Sequence, residues 1–344
     1  MTPDERMDAQ VCYLLVTPCA PVSALEPPQP LQRLRDAPYF EAVDVEVRTI
    51  GSEAIVRDGV SVSIQYQTYD GLAQIAECYF ALPDILNPTA AQIKGRVQTA
   101  LKEYLLARQP DPGNMLEEYA VIMLSTVGAA PDEFIDANGQ VLARIIRTQR
   151  EVFGPREVED ILVSRVRYSE DELTIVDWEG AIVISNEGDF QSDIELLKIG
   201  NYQLLRYRLL DQTIERNLET VSQHLNEGVR GGLLPNRSKR VLRQVIEQRL
   251  TLTLDFERIN QSLLLIGDWY TAKLYRAIYD EYYLDEWEAA IRSKLENLEA
   301  IVQVIQENFE FSWSRFLEMV QIAGWLLLLV GYFVLFFLDL RAVK

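Results

Sequence analysis

The chain has 344 residues, 48% hydrophobic and 25% charged, enough for a globular core with an accessory helical region and too apolar for extended disorder. A formal net charge of −19 sets the bulk of the protein against nonspecific binding to nucleic acid or an anionic lipid surface, because both repel it. Three cysteines, Cys12, Cys19 and Cys78, with no C-x-x-C pair, and one histidine give no disulfide framework, zinc site or other cofactor to expect.

The chain opens Met-Thr-Pro-Asp-Glu-Arg-Met-Asp, acidic and with no apolar core behind it, so neither a secretory signal nor a transit peptide is expected. Val11 to Thr17 is a short apolar run with β-branched residues, and Ala42 to Ile50 alternates acidic with apolar positions. Ser52 to Arg57 and Val60 to Tyr66 flank Asp58-Gly59, a pair preferred in tight hairpins. Ala73 to Leu82 continues the strand pattern. Thr89 to Ala107 carries Ile93, Val97, Leu101 and Leu105 at four-residue spacing, one face of a helix. Glu159 to Ser185 returns to strands, with Ile161, Val163 and Val166, then Leu173, Ile175 and Val176, then Ala181 to Ile184. Strands around at least one helix predict an α+β soluble domain over residues 1–188, the part that holds thirteen of the fourteen prolines.

Residues 189–318 read as an antiparallel three-helix coiled-coil region. A first helix is predicted from Asp193 to Leu225, with Tyr207, Leu210, Ile214, Leu218, Val221 and Leu225 on one stripe. His224 lies near its end, where a cap on the carbonyl end of the helix is the expected role, and a loop is predicted over 226–232. A second helix starts near Ser238, with Leu242, Val245, Leu252, Phe256, Ile259 and Leu263 in a seam interrupted by Arg249. In the third, Ile291, Leu295, Leu298, Val302, Ile305 and Phe309 alternate steps of four and three, and Leu284 extends the register upstream. That is a coiled-coil seam. It serves as the core of a bundle within one chain, or as that core together with a pairing surface between copies, and the combination is the reading taken. With no glycine or proline between Gly267 and Gly324, this helix is predicted to run unbroken from about Asp268, about 105 Å over roughly seventy residues.

Residues 319–338, MVQIAGWLLLLVGYFVLFFL, hold no charged side chain and would span ~30 Å as a helix, the thickness of a hydrocarbon core. A transmembrane helix is predicted there, with a short tail over 339–344. Gly324 and Gly331 lie seven apart and near one face, where small residues let membrane helices approach closely. A span so near the C-terminus implies insertion after the chain is complete, with the soluble part facing the cytoplasm. In a prokaryote the membrane would be the plasma (inner) membrane. Arg341 and Lys344 in the tail, against Glu307, Glu310 and Glu318 on the other flank, oppose the positive-inside rule for that orientation, but the missing signal outweighs so few charges.

Arg230, Arg237, Lys239, Arg240 and Arg243 put five cations within fourteen residues of an acidic chain, a candidate patch for an anion or an acidic partner segment, with neutralisation of nearby acidic faces as the plainer role. Gly231-Gly232 beside them completes neither phosphate-binding fingerprint. Asp280, Glu281, Asp285, Glu286 and Glu288 stand among Tyr279, Tyr282, Tyr283 and Trp287, but the Glu-x-x-His pairs of a di-iron bundle are missing, and a solvated acidic face is the expected role. No nucleophile elbow, Cys-His pair or kinase motif set appears.

Leu204-Leu205-Arg206-Tyr207-Arg208-Leu209-Leu210-Asp211, Leu274-Tyr275-Arg276, Tyr282-Tyr283-Leu284, Arg292-Ser293-Lys294-Leu295 and Phe316-Leu317-Glu318-Met319 give residues 204–332 a pattern that resembles the family named for being required for meiotic nuclear division. The resemblance implies a membrane-anchored protein that assembles with itself, in eukaryotes at the mitochondrial inner membrane in support of organellar translation, and it brings no catalytic residues. The missing transit peptide suits a prokaryotic relative. Together these readings predict a non-enzymatic, single-pass, C-terminally anchored scaffold: a homo-oligomer in the lipid bilayer whose head domain binds a protein partner. Two alternatives remain at this stage, a channel or transporter component and a membrane-tethered enzyme or phosphate sensor using the cationic patch.

Overall fold

The computed structural model describes residues 7–19, 45–109, 115–125, 127–231, 247, 250, 253–254, 256–257 and 269–342. The chain divides into two compact units, Met1–Leu210 with Glu257–Ala289, and Asp211–Phe256 with Ala290–Lys344. The first unit is built on an eight-stranded sheet in the order β2-β3-β4-β1-β5-β8-β7-β6. Its strands are β1 (Ala9–Pro18), β2 (Val47–Arg57), β3 (Val60–Tyr69), β4 (Ala73–Leu82), β5 (Glu117–Leu124), β6 (Arg165–Ser169), β7 (Glu172–Val176) and β8 (Gly180–Ser185). Neighbours pair antiparallel except β5 with β8, which run parallel. The β2–β3 hairpin turns at Asp58-Gly59, with φ of 49° and 78°, the two positive values a two-residue hairpin of this hand requires.

Strand alternation gives the sheet two unlike faces. One carries Val11, Tyr13, Leu15, Val62, Ile64, Phe80, Ile122, Ile175, Ile182 and Ile184 and packs into an apolar core with α1 (Ala90–Leu106), α2 (Pro131–Ile146) and the end of α3 (Pro155–Ile161). The predicted stripe of α1 supplies Val97, Leu101 and Leu105 to that core. The opposite face carries buried polar side chains among its apolar ones, and the first twenty residues of α4 (Gln191–Gly231), with α5 (Trp269–Glu281), cover it. The N-terminal region is thus a sheet between helices, followed by further helices.

Three local readings change. Ile161 ends a helix and Val163 is exposed in the turn after it, so the strand begins only at Arg165. Residues 226–231, expected as loop, continue α4, so His224 lies within the helix rather than near its end. The long third helix is broken. Tyr283 adopts φ of 51°, and α6 runs from Leu284 to Ala342, 59 residues, about 88 Å at the usual rise. The cause is packing: Tyr282 is buried, with its ring 5.5 Å from that of Tyr119, while Tyr283 turns outward over Trp178 at 5.9 Å. Asp285 and Glu286 then stand in the first turn of α6, where acidic side chains suit the amide end of a helix. Asp268, the expected start, lies outside the described residues.

In the second unit the continuation of α4 meets α6 through Lys294, whose Nζ donates to Asp211 Oδ1 at 2.5 Å and Glu215 Oε1 at 2.7 Å. The Arg292 guanidinium lies over the Phe256 ring, and Ile214, Phe256, Ile291, Leu295 and Leu298 are buried. Farther along α6, Glu318–Leu335 is long and apolar enough to cross a membrane, and none of it is buried within the chain.

Candidate functional site

The first twenty residues of α4 lie on the polar face of the sheet, and the sequence of this helix explains why. Apolar Ile194, Leu197 and Leu205 share the buried side with Asp193, Glu195, Lys198, Asn201 and Gln203, so a mixed stripe must find hydrogen-bond partners beneath it. Lys198, fully buried, donates from Nζ to Glu195 Oε1 at 2.6 Å, to Glu77 Oε2 of β4 at 3.0 Å and to Gln67 Oε1 of β3 at 3.1 Å. Tyr79 donates to Glu77, while Gln191 and Tyr69 donate to Glu195 at 2.8 and 3.4 Å. One cation thus faces two buried carboxylates, and hydroxyl and amide donors satisfy part of the excess charge. Burial alone would lower the lysine's pKa, but Tyr69, Glu195 and Glu77 together hold it above the ordinary value. The amine stays protonated and unavailable as a nucleophile.

Further along the same seam, Asp193 Oδ1 accepts from Thr174 Oγ1 and from the Tyr270 hydroxyl, both at 2.6 Å. Asn201 Nδ2 donates to Leu197 O at 2.8 Å and to the Tyr282 hydroxyl at 2.9 Å, which ties the α5–α6 turn to α4. Gly200 makes this approach possible, since a Cβ there would lie 2.4 Å from Ile278 Cγ2 and 3.1 Å from Tyr282 Cε2. The Tyr275 hydroxyl donates to Gln203 Oε1 at 2.5 Å. Arg208 closes the seam on Glu117 of β5 at 2.5 Å.

Two buried thiols and a buried lysine are shifted by their surroundings. Burial, with Glu77 beside it, raises the Cys12 thiol well above its ordinary range, and burial raises Cys78 to about 12, so both stay neutral thiols near neutral pH. Lys94 of α1 reaches the end of α2, donating to Ile145 O at 2.7 Å, Ile146 O at 3.1 Å and Thr148 Oγ1 at 2.9 Å. Burial lowers it to about 7 against the pull of Glu179 and Asp177. It adds a donor to carbonyls of the last turn of α2. A groove of about 460 Å³ between α2 and α3 is lined by Ile135, Gly139, Val158 and Leu162, with Arg165 at its rim held by Asp132 and Asp136.

The residues expected from sequence lie elsewhere. Leu284, Ile291, Leu295 and Leu298 of the seam are buried within the single chain. The backbone of α6 is helical through Val302, Ile305 and Phe309, whose side chains lie outside the described residues. Arg230 is in the last turn of α4, while Arg237, Lys239, Arg240 and Arg243 lie outside the described residues. At Gly324 and Gly331 an added Cβ would meet nothing within 4 Å. The seam under α4 escaped sequence reasoning, although two signals point to it: a glutamate inside the apolar strand Ala73–Leu82, and polar residues spaced three apart at 195, 198 and 201 within an apolar stripe.

Residues 43–191 match a family described as "Uncharacterized protein MJ0711, N-terminal domain". The matched stretch takes in β2 to β8 with α1, α2 and α3, and it stops at the first residue of α4. The chain is also 25% identical over 203 residues to the uncharacterized protein MJ0711 of Methanocaldococcus jannaschii, which covers 59% of this chain and 62% of that protein. No solved structure matches. Both similarities point to an uncharacterised family, and the resemblance over residues 204–332 falls outside the matched stretch 43–191.

Replacing Lys198 by Met leaves Glu77 and Glu195 buried without their cation. It is expected to cost about 3–5 kcal/mol in urea unfolding at pH 7, and the added change Glu77→Gln is expected to restore roughly 1–2 kcal/mol of it. Lys94 predicts a pH dependence. Its folded value of about 7 lies below the ordinary 10.5, so the unfolded chain binds more protons between those limits, and the contribution of Lys94 to stability rises with pH across that window and is flat below it. Lys94→Met should remove that rise, which can reach about 1.4 kcal/mol per pH unit, as measured by unfolding at pH 7, 8 and 9.

Proposed function

We propose that the protein is a non-enzymatic membrane scaffold, anchored by the apolar part of α6, whose sheet unit binds a protein partner on the cytoplasmic side and whose copies associate along α6. The observation that carries this reading is the apolar stretch Glu318–Leu335, unburied along its whole length, within a helix that starts at Leu284 in the sheet unit. Met319, Trp325, Leu326, Leu327, Leu328 and Leu329 are all exposed, on every side of the helix. A soluble chain would lose by leaving them in water. The resemblance to the family required for meiotic nuclear division, whose members are anchored and self-assembling, agrees with the reading, and a prokaryotic plasma membrane is the setting it favours. Neutral thiols, a permanently charged Lys198 and a buried, capping Lys94 fit a scaffold better than a catalyst.

Leu298 is buried within one chain, and we take the copies to associate farther along α6, through Val302, Ile305 and Phe309 and the face of Gly324 and Gly331. The full chain is expected to stay with membranes after alkaline carbonate extraction, and Leu327→Arg with Leu328→Arg, at about 2.5–3.5 kcal/mol each at a span's centre, to release it. Retention of the double variant would refute the anchor. Gly324→Ile with Gly331→Ile adds bulk where each Cβ has open space. It should lower the size of the detergent-solubilised particle to one chain and leave the unfolding of the sheet unit unchanged. An unchanged size would place association elsewhere.

A further inference from the structure

The sheet ends on two strands that are built in opposite ways. A bare strand edge offers unpaired amides and carbonyls to any other strand, so edges are commonly short, charged or bulged. β6 is all three: five residues long, with Arg165 held by Asp132 and Asp136, Arg167 held by Asp132, and a register shift between Arg167 and Ser169. β2 runs for eleven residues without proline or lysine, and among the described residues it pairs with β3 alone. Its own irregularity, between Thr49 and Gly51, leaves a regular edge from Gly51 to Arg57. On one face of that edge Ser52, Ala54 and Val56 are exposed beside Ser61, Ser63 and Gln65 of β3, a surface with no charge in a chain of net charge −19. On the other, Glu53 accepts through Oε1 from Tyr66 at 2.7 Å and Arg108 at 2.6 Å, while its Oε2 takes only the Tyr104 hydroxyl at 3.1 Å. Arg57 lies over the Tyr104 ring, 4.3 Å from its centre, and has no carboxylate partner among the described residues.

We propose that the β2 edge joins the sheet units of two copies: β2 of one pairs antiparallel with β2 of the other about a two-fold axis at Ile55, making one sheet across both. The occupant follows from charge. Two chains at −19 repel over most of their surfaces, yet Glu53-Ala54-Ile55-Val56-Arg57 is its own complement when run antiparallel. In the register centred on Ile55, Glu53 faces the partner's Arg57 and Arg57 faces the partner's Glu53, which supplies the carboxylate that Arg57 lacks. Ala54 faces Val56 on the uncharged side, and the two Ile55 side chains face each other. Centring the pair on Glu53 sets like charges together, and centring it on Ala54 or Val56 leaves both charges opposite uncharged residues. A one-residue slip would also turn every side chain to the other face.

The pairing rests on association along α6, because so short an edge buries far less than the roughly 800 Å² per partner of a stable free dimer and gains from copies already held side by side. Cys12 and Cys78 are buried, so the test uses the full chain with Cys19→Ser, in two differently tagged forms that carry Ala54→Cys or Val56→Cys at exposed positions. The forms are reconstituted together in lipid vesicles and oxidised with copper phenanthroline. Opposed Cβ atoms lie about 4.5–5.5 Å apart and diagonal ones about 7–8 Å, so a disulfide is expected between unlike forms and not between like ones. Arg57→Glu, which sets two carboxylates against each other, should abolish the link, and Arg57→Lys should keep it. No link, equal linking of like and unlike forms, or a link that survives Arg57→Glu overturns the edge contact. If the detergent-solubilised particle then still holds more than one chain, association along α6 stands without it; a one-chain particle with no link removes both.

Discussion

Lys198 places a full positive charge where water does not reach, and the arrangement of the first unit follows from satisfying it. Its amine meets acceptors from three elements, Gln67 on β3, Glu77 on β4 and Glu195 one turn earlier on α4. Apolar contacts tolerate sliding, because one methyl replaces another at little cost. These do not. A shift of α4 by one residue turns its side chains by about 100° and moves the amine by about 1.5 Å, enough to break the bonds to Gln67 and Glu77 and strand the Glu77 carboxylate. A buried pair of this kind need not add stability over a well-packed apolar alternative, since removing its charges from water offsets most of the attraction. Its effect is on register: one rotation and one height of α4 bring the amine to both sheet acceptors, Gln67 and Glu77.

Register set at Lys198 carries forward over the next turn. Gly200 then presents bare backbone to Ile278 and Tyr282, and Asn201 presents its amide to the Tyr282 hydroxyl. Tyr282 can be buried there only if the chain turns immediately afterwards, and the left-handed backbone of Tyr283 is that turn. Such a conformation in a non-glycine residue is locally unfavourable and persists when surrounding contacts over-determine it. Here they are the Asn201 hydrogen bond, the edge of the Tyr119 ring and the tilted contact of Tyr283 with Trp178. The start of α6 therefore depends on a buried amide one turn from the lysine as well as on the acidic first turn of the helix itself.

That dependence explains what the sequence could and could not disclose. The Asp58-Gly59 hairpin, the strand Ala73–Leu82, helix α1 and the long apolar stretch were legible because each is a local pattern whose period or turn chemistry decides the structure. The break at Tyr282-Tyr283 was not. No glycine or proline marks it, and its cause lies on α4 and β5, more than eighty residues away in the chain. Ile161 and Val163 read as strand because a short apolar run bounded by charges looks alike in either structure, and helices α2 and α3 and strand β5 emerge only in the fold. The polar seam was hidden for a further reason: a glutamate in an apolar strand and a lysine in a helix are each ordinary until the fold puts them 3.0 Å apart.

The two parts of α6 bury apolar residues in different ways. From Ile291 to Leu298 the buried positions recur every three or four residues, so one stripe is covered by the chain itself and the other side, with Glu296 and Glu299, is exposed. From Glu318 to Leu335 that asymmetry ends: every described side chain is exposed, and apolar ones occupy all sides. A stripe calls for a partner along one line, which a neighbouring helix supplies. A helix apolar all round calls for a surround, and a single docking groove would leave most of it in water. Hydrocarbon supplies a surround without order. The change from stripe to surround within one continuous helix is thus the physical ground of the proposed membrane anchor.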